Sequence, residues 1–181
     1  MASSSLLVVV VALLAFLSPA VLATGGASRE KRTHIRVYVH EQFSGPNATV
    51  GSVAPSPLGA NSTFGEVGVL DDALRAGPGP ASGLVGRYQG VFVGSDLADA
   101  SYHSAITLVF AAGEHRGGTL SLQGRYSFPA DDGAVLERAV VGGTGGFRMA
   151  RGYSLLKVVS TPPEAAVFQL DLFVFTPRGR Y

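Results

Sequence analysis

The side chains able to move a proton are few in this chain of 181 residues. The carboxylates Glu41, Asp71, Asp72, Glu137 and Asp171 are candidates for acid–base chemistry wherever one of them faces a cavity. Asp71-Asp72 stand just ahead of Gly77-Pro78-Gly79-Pro80 and read as turn residues, whereas Glu137 has Arg138 beside it and reads as a solvated charge. His34, His40, His103 and His115 lack the helical His-Glu-x-x-His spacing, so no metal site is expected. His40 and Glu41 are neighbours, and a continuing strand would send them to opposite faces. Cysteine is absent, which excludes disulfides, thiolate nucleophiles and cysteine-based zinc sites. No Gly-x-Ser-x-Gly elbow supports a hydrolytic triad. Gly142-Gly143-Thr144-Gly145-Gly146 is followed by Phe147-Arg148, not by the Lys-Ser/Thr of a phosphate loop. It reads as a tight turn between strands, and no cofactor is expected.

The elements that must position these groups are short and extended. Ile35, Val37 and Val39 alternate with Arg36, Tyr38 and His40, the period of a half-buried strand. Further extended stretches are expected at Phe64–Leu70, Leu84–Val93, Ser104–Ala111, Thr119–Gln123, Phe147–Ser160 and Ala166–Thr176. Gly86 and Gly90 share a face with Tyr88 and Phe92, a sign of close strand contact or bending. A helix over Asp131–Arg138 is the alternative at one place, weakened by Gly133. Seven or eight strands with Gly-rich turns define an all-β sandwich or barrel in a single domain. Both faces of Ala166–Thr176 are largely apolar, so both should be covered, the outer one by another subunit. Apolar residues make up 46% of the chain and charged ones 15%, which excludes a disordered chain. A net charge of +1 gives no field for nucleic acid or anionic lipid.

The first residues read as an address. Leu6 to Leu17 is an unbroken apolar run, Ser18-Pro19 breaks it, and Val21-Leu22-Ala23 has the small residues of a cleavage site. The run is short for a bilayer span and has no positive flank. The expectation is a signal peptide over residues 1–23, a flexible polar tail over 24–33 and one folded domain over 34–181. Asn47-Ala48-Thr49 and Asn61-Ser62-Thr63 are glycosylation sequons in polar, Gly/Pro-rich surroundings.

Several segments, in order, resemble the plant dirigent family: His34–Glu41 (HIRVYVHE), Gly45–Thr49 (GPNAT), Val69–Asp72 with Leu74, and Val85–Gly90 (VGRYQG). Leu108–Phe110, Gly118–Leu120 and, most specifically, Val140–Tyr153 (VVGGTGGFRMARGY) continue the match. The resemblance implies an eight-stranded antiparallel β-barrel, a homo-oligomer (a trimer), and secretion to the apoplast with no membrane attachment after signal cleavage. By the same resemblance the protein would orient phenolic small molecules or their radicals, which a separate oxidase or laccase supplies, so that monolignols couple with one handedness into lignans. Orientation, not bond activation, would then be the protein's contribution. The resemblance also places Glu41, Tyr126 and Arg138 in the catalytic cavity. Lignan-forming members carry aspartates at the positions of Glu41 and Tyr126, and an arginine where Leu136 aligns, two residues before Arg138. A tyrosine with its ordinary pKa near 10 is a poor base at neutral pH. Two other roles fit the resemblance: a lyase or cyclase working on flavonoid-type phenolics through quinone methides, and a non-catalytic wall or defence scaffold.

The address and the sequons carry the first prediction. Protein recovered from the extracellular fluid of an expressing plant tissue begins at Thr24 and carries glycan mass at Asn47. N-terminal sequencing and glycopeptide mass spectrometry check this, and a retained Met1 contradicts it.

Overall fold

In the computed structural model, which describes residues 30–127 and 133–178, the regular elements are nine β-strands and one turn of 3-10 helix. The strands are β1 (Glu30–Gln42), β2 (Val50–Ala54), β3 (Val67–Arg75), β4 (Leu84–Gly94) and β5 (Ser101–Phe110), followed by β6 (Thr119–Ser127), β7 (Val135–Thr144), β8 (Arg151–Ser160) and β9 (Ala165–Pro177). From β3 onward each strand pairs antiparallel with the next in sequence. β9 returns along the whole of β1, from Glu30 opposite Pro177 to Gln42 opposite Ala165. β1 then closes on β3 through Tyr38–Arg75, Val39–Leu74 and His40–Ala73. Eight strands form the ring, the all-β antiparallel barrel expected from the sequence. β2 lies outside that count: it pairs with Val67–Leu70 of β3, continuing the wall where β1 has ended.

Alternation drives the closure. Ile35, Val37 and Val39 on β1, Leu108 and Phe110 on β5, Leu120 and Leu122 on β6, and Leu170, Leu172 and Val174 on β9 all point inward and are buried. Each such side chain stabilises the fold by about 1.5–3 kcal/mol when fully removed from water. One end of the barrel is plugged by rings: Phe110 meets Phe147 at 5.4 Å and His115 meets Phe147 at 5.1 Å. Gly86 and Gly90 do sit inside the wall with Tyr88 and Phe92. A Cβ at Gly86 would lie 1.9 Å from the Val109 carbonyl oxygen, so the bend of β4 against β5 requires a glycine there.

Several local expectations change. Asp71-Asp72 are not in a turn; they lie in the middle of β3. Leu70, Asp72 and Leu74 keep the inward alternation unbroken, and pairing with β4 over Asp71–Gln89 and Asp72–Tyr88 holds the acids in the strand. β2 is a strand where the sequence analysis expects none, and the second expected stretch begins at Val67 instead of Phe64. The glycine cluster is only partly a turn, since β7 runs through Thr144 and the 3-10 turn covers Gly145–Phe147. Val135–Arg138 is strand, not helix. β1 starts at Glu30, inside the tail expected over 24–33, because β9 extends to Pro177 and supplies ladder partners. Residues 1–23, where a signal peptide is expected, and residues 24–29 of the expected tail lie outside the described residues.

Gly152 gives a test of this wall. Its φ is +149°, and a Cβ would lie 1.9 Å from the Phe173 carbonyl oxygen on β9. Gly152→Ala therefore destabilises the barrel by about 2–3 kcal/mol, from strain and overpacking together. Chemical denaturation of the purified variant reads this directly, and an unchanged midpoint would contradict it.

Candidate active site

A cavity of about 370 Å³ opens at the end of the barrel opposite the ring plug. Its deep part is apolar: Val39, Ile106, Leu156 and Phe168. Its wall carries aromatic rings in contact. Tyr102 stacks on Tyr126 with centroids 5.5 Å apart, and Phe92 meets Tyr102 edge-on at 5.4 Å. The Tyr102 hydroxyl is tied back by donating to Glu66 Oε2 at 3.2 Å. Such a surface complements the flat face of a phenolic ring.

The polar groups enter from five strands. Arg138 is an inward residue of β7, only 6% exposed. Its Nη1 donates to the Tyr88 hydroxyl at 2.6 Å, and its guanidinium stands 4.7 Å from the Tyr126 ring centre. The partners are as strand geometry requires: Tyr88 faces inward from β4, and Tyr126 faces inward from β6 beside β7. Glu41 is the last inward position of β1 and lines the cavity. Burial pushes its carboxyl up to about 7, against the opposing pull of the Arg138 charge. Asp72, the inward acid of β3, is fully buried. Burial first, and then the charge of Glu41, push it up to about 8. Its Oδ1 accepts a hydrogen bond from Thr49 Oγ1 at 2.5 Å. Burial also raises the hydroxyl pKa of Tyr88 and Tyr126, so neither is a base. Among the described residues the site thus holds one guanidinium and two carboxyl groups in a poorly solvated space, and both acids stay largely protonated in mildly acidic solution.

Glu41, Tyr126 and Arg138, expected together, do line one cavity. Sequence reasoning misses Asp72 and Tyr88 as members of its polar cluster. The signal for both is present: Asp72 alternates with Leu70 and Leu74, and Tyr88 shares a face with Gly86, Gly90 and Phe92. The other acids are elsewhere. Asp71 faces outward and pairs with Arg87 at 2.7 Å, and Glu137 is exposed. Asp171 lies on the outside of β9, accepting from Arg36 at 2.8 Å and contacting His34 at 2.7 Å. His40 donates to the Gly77 carbonyl at 3.1 Å, and His115 sits at the plugged end. Among the described residues no three His, Asp or Glu side chains gather as a metal-binding group. Asn47 and Asn61 are exposed in the loops flanking β2.

Known proteins agree with this architecture. The family model for dirigent-like proteins matches residues 32–175. Pterocarpan synthase 1 of Glycyrrhiza echinata is 38% identical over 163 residues, 88% of this chain and 84% of the relative. Dirigent protein 1 of Arabidopsis thaliana is 36% identical, over 83% of this chain and 82% of the relative. The solved structure of a pterocarpan synthase dirigent protein superposes with a TM-score of 0.76 at 37% identity, covering 84% of this chain and 89% of that one. A single antiparallel barrel with a polar cluster in its open end and this degree of likeness define the class, and the chain belongs to the dirigent family.

The buried acids set a pH dependence of stability. Both have folded-state values above their ordinary ones, so the native state holds their protons more tightly than the unfolded chain does. Their contribution is fully present below about pH 4 and is lost as pH rises through 7 to 8. The thermal midpoint falls by about 5 °C or more between pH 5 and pH 8.5, and Asp72→Asn removes much of that slope. A midpoint that rises over this window contradicts the assignment.

Proposed function

We propose that this dirigent protein takes one flavonoid-type phenolic at a time and carries it through a quinone methide to a cyclic ether, with loss of water. The observation that supports this reading is a buried carboxyl group, Glu41, that shares a cavity of about 370 Å³ with a buried guanidinium and whose pKa burial raises to about 7. That volume lies at the small end of the range of about 300–1,000 Å³ for pockets holding one drug-sized molecule. It favours one fused-ring phenolic over two monolignols. The likeness to the pterocarpan synthases, whose name states a cyclic product, points the same way.

The chemistry needs an acid more than a base. Glu41 gives its proton to the departing benzylic hydroxyl, the C–O bond breaks and water leaves. The phenol proton of the substrate passes to solvent at the cavity mouth, which leaves a neutral quinone methide. A second hydroxyl of the same molecule then bonds to the electrophilic carbon. Its proton returns to Glu41, and the phenolate that forms takes a proton from solvent. Arg138 stabilises the Glu41 carboxylate between the two steps. Tyr102, Tyr126 and Phe92 hold the ring so that one face is open to attack, which sets the handedness. No electron leaves or enters, so this reading needs no oxidase.

Stereoselective coupling of monolignol radicals, with a laccase as their source, is the second reading. Family membership and the continuous aromatic wall support it. A wall-bound scaffold is the third. Incubation with the hydrated, ring-opened precursor of a pterocarpan separates the three. Optically active cyclic product without oxidase is expected; chiral product from monolignols only when laccase is added would favour the coupling reading, and binding without chiral product would favour the scaffold. The rate falls as pH rises through about 7, because the protonated acid is lost. Glu41→Gln lowers the rate about 10²-fold or more with the cavity intact. Equal rates for wild type and E41Q would remove Glu41 from the mechanism.

The same reading places the protein outside the cell, in the apoplast, with sugars on the exposed Asn47 and Asn61, and as a homotrimer. The outer face of β9 supports assembly: Phe173 stacks between His34 at 4.6 Å and Tyr153 at 4.8 Å, with Val167 and Phe175 on the same side. Light scattering should give three times the protomer mass, and Phe173→Asp should reduce it to the protomer. A wild-type monomer at micromolar concentration contradicts this assembly.

A further inference from the structure

The seam where the barrel closes contains more chemistry than closure needs. Pairing of β1 with β3 ends at His40–Ala73. One more step of that register sets Glu41 opposite Asp72, both on the inward face. At this step the ladder opens, and Thr49 fills it. Its N–H donates to the Gln42 carbonyl at 2.9 Å, and its carbonyl accepts from the Asp71 N–H at 2.8 Å. Its hydroxyl accepts from the Gln42 N–H at 2.9 Å and therefore has its proton free to donate to Asp72 Oδ1 at 2.5 Å. Thr49 is thus bonded to the residue after Glu41 and to Asp72 itself. The second oxygen, Asp72 Oδ2, is buried with no hydrogen-bond partner among the described residues.

This is a costly arrangement for a merely structural acid. A buried polar atom without a partner destabilises the fold, and an asparagine or a leucine would fill the same volume. The groups around the pair are mixed. Arg138 on β7 faces it with positive charge; Tyr88 on β4 and Tyr126 on β6 are neutral; Arg87 on β4 and Asp71 on β3 act from outside the wall. Among the described residues one inward guanidinium balances one carboxylate. The second acid must then remain protonated while the first is ionised.

We propose that Asp72 is a positioning residue for Glu41, a second acid that stays neutral when Glu41 gives up its proton, and that the Thr49 hydroxyl fixes it in that place. This rests on Glu41 being the proton donor described above. The substrate does not reach Asp72, which is absent from the cavity surface; it acts through Glu41. Thr49 then has two duties. It completes the Asn47-Ala48-Thr49 sequon during synthesis, and in the folded barrel its hydroxyl holds the acid pair.

The two duties separate by substitution. Asn47→Gln abolishes the sequon and keeps the hydroxyl. Thr49→Ser keeps both, and Thr49→Val loses both at nearly constant shape. Carboxyl carbons of protein labelled at Asp and Glu with ¹³C, followed by NMR from pH 4 to 10, report each acid without any substrate. In the wild type, Glu41 and Asp72 should titrate in two linked steps. In Glu41→Gln, the Asp72 midpoint should move down by about one pH unit, since a neighbouring negative charge has gone. In Thr49→Val it should move up, since the carboxylate loses a donor, while Thr49→Ser and Asn47→Gln should leave it in place. An Asp72 midpoint indifferent to Glu41→Gln, or one that moves equally in Asn47→Gln and Thr49→Val, overturns the proposal. A wild-type Glu41 that titrates near its ordinary value instead defeats the acid role of Glu41, a separate and recognisable failure.

Discussion

A guanidinium held almost out of water is the constraint around which the open end of the barrel is arranged. The charge of a guanidinium as buried as that of Arg138 must be met inside the cavity. Tyr88 meets it with a hydroxyl oxygen and Tyr126 with the face of a ring, and the Glu41 carboxyl, in the same cavity, feels its charge. Each partner comes from a different strand, so the charge ties β1, β4, β6 and β7 to one geometry. Glu41 and Asp72 add two carboxyl groups to a space that has one inward cation among the described residues. Excess acid in little water keeps protons on carboxyl groups that would be ionised at the surface.

The closure of the barrel serves the same end. A strand that paired all the way with β3 would leave Glu41 and Asp72 side by side in an ordinary ladder. Instead β1 ends, the chain makes an excursion over residues 43–49, and β2 resumes the pairing. The excursion brings Thr49 to the seam and places Phe43 and Val50 on the cavity. The opposite end is filled by Phe110, Phe147 and His115. One end of the barrel is therefore packed for stability, and the other is left open with polar groups whose burial costs stability. That division is the usual one where a rigid scaffold carries a site.

Much of this is legible in residue order. Period-two alternation in Ile35–Val39, Leu84–Val93 and Ala166–Thr176 fixes strands, because a side chain can reach the core only at every second position. Gly86 and Gly90 announce close approach, because no other residue lacks a Cβ. The segments shared with dirigent proteins point to Glu41, Tyr126 and Arg138. Residue order misleads where local chemistry and tertiary pairing disagree. Two adjacent aspartates before a Gly-Pro run look like a turn, yet β4 pairs with them and turns one outward to Arg87 and the other inward. The 50–54 segment is too short and too exposed to announce itself, and it is a strand because the edge of β3 offers it hydrogen bonds.

Residue order alone is enough for an all-β chain with no thiol chemistry, the inward and outward faces of its clearest strands, and the residue types available to a cavity. These follow from side-chain chemistry and a backbone period of two, both of which are local. The gathering of Glu41, Asp72, Tyr88, Tyr126 and Arg138 into one cluster is a product of the folded barrel. Their proximity depends on ring closure and on register across five strands, which bring together residues almost a hundred positions apart. Their protonation is decided at the same level, because a carboxyl pKa depends on the water and the charges around it, and no run of neighbouring residues specifies either.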